Sequence, residues 1–144
     1  MTSTPTPGAP SGLRRQLTLA IPADAERISS ATDAVIACLA TLNVAKEKSM
    51  AIALVVQEAL ANAVVHGCGN DPSKTVHCEL SSDDQGRIAI MISDPGPGFD
   101  FSAPPPADGE DDYRDHGRGV ILIRQLMDEV SFERGGSTIR MCKY

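Results

Sequence analysis

Glu58, Asn62 and His66 stand four residues apart in the stretch QEALANAVVHG, the spacing that lines side chains along one face of a helix. A carboxylate can take up a proton, an amide can offer its oxygen to a hard cation, and an imidazole can satisfy backbone or take part in chemistry. Their setting is unusual. Over residues 50–65 only Gln57, Glu58 and Asn62 are polar, so this helix is apolar nearly all round and is expected to be largely buried. An unsatisfied buried amide costs about 1–3 kcal/mol, and a buried carboxylate more unless paired. Either the three groups meet partners in a site, or they form the exposed stripe of an amphipathic helix.

Two glycine-rich elements bear on that choice. Asp94-Pro95-Gly96-Pro97-Gly98-Phe99 follows directly on the apolar run IAIMIS, which places a carboxylate at a strand end beside a chain able to approach a ligand closely. His116-Gly117-Arg118-Gly119 precedes the apolar pattern VILIRQLMDE, so it is expected to open a helix whose first N–H groups form a site for phosphate. Neither fits GxGxxG and no GxxxxGK[ST] occurs, which sets aside the dinucleotide and P-loop readings. Taken singly, each is equally an ordinary glycine turn.

The elements that must position these residues follow from periodicity. Residues 1–12, with three prolines and no charged side chain, read as a disordered tail. Residues 13–21 alternate as a strand ended by Pro22, and Asp24 caps a first helix through Ile28, Thr32, Val35, Ile36 and Leu39. A longer helix covers residues 45–66 and stops at Gly67. Residues 75–81 and 87–93 form a hairpin whose second strand, apolar on both faces, is expected to be central. Residues 94–118 read as a long polar loop, residues 119–128 as a helix, and residues 130–132 and 138–142 as a closing hairpin. The order β-α-α-β-β-loop-α-β-β predicts an α+β two-layer sandwich, three helices covering one face of a mixed, mostly antiparallel sheet.

Composition narrows the function classes. The 144 residues suit one domain, and 42% hydrophobic content can fill a core. No run reaches the roughly 18 uninterrupted apolar residues of a membrane span, so neither membrane association nor export is expected and the chain reads as cytoplasmic. The net charge is −6, and residues 100–115, with six acids against one base, carry −5 of it. Without a basic stripe, and with five aromatic residues, the chain lacks the charge and stacking surfaces of nucleic-acid binders. Cys38, Cys68, Cys78 and Cys142 lie far apart with no CxxC pair and are expected to be reduced. A zinc site from His66, Cys68, His77 and Cys78 matches no common ligand spacing.

In their order, Glu58-x-x-x-Asn62-x-x-x-His66-Gly67, Asp94-x-Gly96-x-Gly98 and Gly117-x-Gly119 resemble the Bergerat ATP-binding fold of the histidine-kinase-like ATPase superfamily. Within it, QEALANAVVHG, SDPGPGF and HGRGVILIRQLMDEV are similar to the anti-sigma factor serine/threonine kinases of bacterial partner switching, over residues 13–144. The resemblance implies ATP and Mg²⁺ as cofactors. It makes Asp94 the acceptor for the adenine amine, with Gly96 and Gly98 beside the base. Asn62 becomes the Mg²⁺ ligand, and His66, Gly117, Arg118 and Gly119 line the ATP site. Glu58, one turn before the metal ligand, becomes the catalytic base.

The implied function is phosphorylation of a small STAS-type anti-sigma factor antagonist by a kinase that also binds a sigma factor and forms a homodimer through its first strand and helix. Residues 100–115 would form a lid over the γ-phosphate. A catalytically silent module that uses ATP to choose between partners is the competing reading, and an intact Glu58 favours the kinase. The triple proline and acidic run between Phe99 and His116 depart from the family pattern.

Overall fold

A computed structural model describes residues 12–97 and 111–144, except for the side chains of residues 111–118. Residues 1–11 of the expected tail, Gly98 and the greater part of the expected lid lie outside the described residues. Strands β1 (Arg14–Pro22), β2 (Thr75–Ser82), β3 (Ile88–Ser93), β4 (Glu129–Glu133) and β5 (Thr138–Lys143) alternate with helices α1 (Ile28–Thr41), α2 (Lys46–Asn62) and α3 (Asp111–Leu126) as the sequence predicts. The strands form one sheet in the order β1-β2-β3-β5-β4, with β3 central.

All four pairings are antiparallel, rather than mixed. The reason lies in the closing hairpin. β3 and β4 run in the same direction, joined across α3, but β5 folds back between them and bonds to both.

One face of the sheet presents Val76, Cys78, Leu80, Ile88, Ile90, Ile92, Ile139 and Met141, all buried, as strand alternation requires. The helices cover that face. α1 buries Val35 and Leu39, α2 buries Ile52, Val55, Val56, Ala59 and Leu60, and Ile123 follows from α3. Asp24 is the expected cap, its Oδ1 accepting the Glu26 N–H at 3.0 Å, and a 3₁₀ turn (Ala25–Arg27) leads into α1.

Helix α2 lies between its two neighbours and contacts both. The 22-residue segment Lys46–Gly67 contains an 18-residue window with a mean hydropathy of 1.4 and is long and apolar enough to span a bilayer by length and composition. In the fold it is the central core helix, although Met50, Leu54 and Val65 remain exposed. Leu60 has no exposure and belongs to the core that the helices share with the sheet. Leu60→Ala is therefore expected to cost about 2–5 kcal/mol, read by urea denaturation. A loss below about 1 kcal/mol would contradict this packing.

Helix α3 departs from expectation. It begins at Asp111 rather than after Arg118, so Gly117 and Gly119 lie inside it rather than at its N-terminus. Two glycines lower helix propensity by up to about 1 kcal/mol each, which is why they read as a boundary. The acids Asp111, Asp112 and Asp115 suit the positive end of the helix dipole and favour the earlier start. The closing turn also carries an unusual backbone, with Arg134, Gly135 and Gly136 successively at φ 55°, 69° and 98°. Such a run is open to glycine and costly for most other residues.

Candidate nucleotide site

The C-terminal half of α2 carries the site. Glu58 and Asn62, one turn apart, are both half-buried, and α3 crosses over them at Gly119. A side chain at Gly119 would start 3.1 Å from Glu58 Oε2 and 3.3 Å from Asn62 Nδ2, so glycine here allows close approach of the two helices. Glu58, Gly119, Ile121, Leu122 and Gln125 line an open cleft.

Beyond Asn62 the helix widens into a π turn, Ala63–Gly67. That extra residue changes which side chain faces inward. His66 is exposed, and Gly67 is buried against Asp94, so the expected stripe does not continue to His66.

Asp94 is 8% exposed at the end of β3. Its N–H donates to the Ser137 carbonyl at 3.0 Å, and its Oδ1 accepts the Gly96 N–H at 2.8 Å. Burial pushes its carboxyl above the ordinary value, even though the Gly96 hydrogen bond and the charges of Arg134 and Lys74 pull the other way. This carboxylate faces a small pocket, partly open to solvent, walled by Ala59, Ala63, Ile92 and Ile139 and closed by Asn62, Gly136 and Ser137. Apolar walls with a buried carboxylate beside them suit a flat heterocycle carrying an amino group.

Beside it, Thr138 is buried, and its Oγ1 has no hydrogen-bond partner among the described residues. Thr138 pairs with Ser93 across β5 and β3, next to Asp94. It alternates with Ile139 along β5, so the residues of this strand end that line the pocket are Ser137 and Ile139.

Asn62 joins the two compartments, because it lines the cavity with Asp94 and also lies under Gly119 with Glu58. The order Asp94, Asn62, Glu58 therefore runs from the partly open pocket at Asp94 to the more open cleft at Glu58. Ser137 and Gly67 are absent from the sequence-based site. Gly-Gly-Ser-Thr read only as a hairpin turn, and the small residues Ala59 and Ala63, four apart and leaving space on α2, were the available signal. Among the motif glycines, Gly96 and Gly119 are at the site, and Gly117 and Arg118 are in α3 with their side chains outside the described residues.

The family model for the histidine kinase-like ATPase domain matches residues 21–143. The chain belongs to this family. Its curated relatives include the serine-protein kinase RsbW of Staphylococcus epidermidis, 40% identical over 101 residues, which are 63% of this chain and 62% of the relative. They also include the anti-sigma F factor of Geobacillus thermodenitrificans, 29% identical over 138 residues, 92% of this chain and 94% of that one. One is named as a serine-protein kinase and the other as an anti-sigma factor, the two activities of the group that the motifs resemble. The chain spans about three fifths of the length of the staphylococcal relative. Among solved structures, the histidine kinase domain of the Erythrobacter litoralis blue-light activated histidine kinase shares the fold, with a TM-score of 0.50 and 19% identity, over 94% of this chain and 64% of that one.

Proposed function

We propose that this domain binds ATP with Mg²⁺ and transfers the γ-phosphoryl group to a serine or threonine of a small STAS-type antagonist protein, acting in the cytoplasm as an anti-sigma factor that also binds a sigma factor. The observation that carries this reading is the carboxylate of Glu58, which shares Gly119 as a neighbour with Asn62 at the end of the cleft remote from Asp94. Asp94 accepts the adenine amine, and the apolar walls sandwich the base. Asn62 and the α3 backbone at Gly119 lie where the phosphates follow. Mg²⁺, which commonly keeps only one or two protein ligands, would be held by the Asn62 amide oxygen and would neutralise phosphate charge.

Glu58 then takes the proton of the acceptor hydroxyl as its oxygen bonds to the γ-phosphorus. The bond from that phosphorus to the bridging oxygen breaks, and ADP leaves with the electron pair. Phosphoryl transfer asks mainly for positioning and charge stabilisation, so one oriented base is a sufficient addition. Labelled ATP incubated with the domain and a candidate antagonist should leave label on the antagonist. Nucleotide binding without any transfer would leave only the silent binding module.

The proposal includes a homodimer with β1 and α1 nearest the interface. β1 is an edge strand, and Ile36 of α1 is 42% exposed. Light scattering at micromolar concentration is expected to give twice the 15.2 kDa chain mass, and a value of 15.2 kDa would refute it.

A further inference from the structure

We infer that Gly67 is a positioning residue for base recognition, acting through the carboxylate of Asp94; the inference rests on the assignment of that carboxylate to the adenine amine. The π turn is what brings Gly67 there. Its i to i+5 bond, from the Cys68 N–H to the Ala63 carbonyl at 2.9 Å, inserts one residue into the last turn of the α2 segment. Ala63, Val64, Gly67 and Cys68 face inward, and Val65 and His66 face outward.

Gly67 consequently lies flat against the carboxylate. A Cβ built on it would overlap Asp94 Cγ and Oδ2 and lie 2.5 Å from Oδ1. Gly96 closes the other side. A Cβ there would overlap the Gly67 carbonyl oxygen and lie 2.8 Å from Asp94 Oδ1. The Asp94 carboxylate is thus held between the backbone of Gly67 and the N–H of Gly96, and its main chain is fixed by Ser137.

A methyl group at position 67 meets no backbone atom among its three nearest contacts, only the end of the Asp94 side chain. The relief is rotation of that carboxylate away from its place. Gly67→Ala is therefore expected to remove the recognition of the amine while sparing the rest of the nucleotide contacts. A defect confined to packing would lower affinity for every nucleotide alike.

The test compares ATP with purine riboside 5′-triphosphate, in which hydrogen replaces the 6-amino group, by calorimetry on the full chain. The unsubstituted protein is expected to prefer ATP by about tenfold or more, the value of a hydrogen bond to a charged acceptor. In Gly67→Ala this preference should fall to about threefold or less, with affinity for the purine analogue nearly unchanged. A retained preference, or an equal loss for both ligands, overturns the positioning role. Absence of a preference in the unsubstituted protein would instead sink the adenine assignment, and this inference with it.

Thermal midpoints give a second reading that holds even if Gly67→Ala folds poorly. Asp94→Ala removes all three overlapping atoms, so Gly67→Ala should cost no stability in an Asp94→Ala background. A double variant as destabilised as the Gly67→Ala single variant would overturn the contact.

Discussion

Replacing Glu58 by Gln is expected to slow phosphoryl transfer by roughly 10²–10⁴-fold, the usual contribution of a positioned general base, while ATP affinity stays within about threefold. The amide keeps the length and shape of the side chain and cannot accept the hydroxyl proton. Binding should be spared because Glu58 lies in the cleft beside Gly119, outside the set of residues that enclose the cavity at Asp94. Removing one negative charge from the phosphate end would, if anything, favour a triphosphate. Initial rates with labelled ATP, beside calorimetric affinities for the same variant, separate the two effects. Undiminished transfer removes Glu58 from the mechanism, and a parallel loss of binding would make it a ligand contact instead of a base.

Asp94→Asn should do the reverse, weakening ATP and ADP alike by about 10–150-fold, which corresponds to about 1.5–3 kcal/mol for a hydrogen bond to a charged group. The structure explains why an isosteric amide is no substitute. Oδ1 already accepts the Gly96 N–H, so the amide either gives its oxygen to Gly96 and turns its NH₂ group toward the adenine amine, or flips and leaves the Gly96 N–H unpaired. Both arrangements lose a bond.

Stability should move the other way. Burial holds the Asp94 carboxyl above its ordinary value, so over the interval between the two values the folded chain keeps a proton that the unfolded chain has released. Asp94 thus makes the nucleotide-free fold lose stability as pH rises through that interval, and Asn removes this loss. Equal affinity of both nucleotides for Asp94→Asn and the unsubstituted protein would rule out the base assignment.

What could be read from residue order was local. The alternation of Leu17, Leu19 and Ile21, the Asp24 cap and the Ser82-Asp83-Asp84-Gln85-Gly86 turn each depend on neighbours two to five positions away, and each element formed where its pattern lay. The i, i+4 pair Glu58 and Asn62 belongs to the same class, since a regular helix places such residues together whatever surrounds it. The spacing of the glycine motifs was legible too, and with it the family.

Tertiary structure decided the rest, because it depends on atoms distant in sequence. Nothing local in AVVHG announces a π turn, and only packing against Asp94 distinguishes an inward Gly67 from an inward His66. The glycines at 117 and 119 resembled a helix start by composition, yet Gly119 is where α3 must come close to Glu58 and Asn62, so its small size serves a helix crossing. Ser137 stands 43 positions from Asp94 in the chain and bonds to its backbone at the pocket, because β5 inserts between β3 and β4. Sequence alone therefore determined which groups could do chemistry and the elements that carry them. The fold determined which of them share a cavity, since strand order and helix crossing are set by the burial of the whole apolar face and by no single segment.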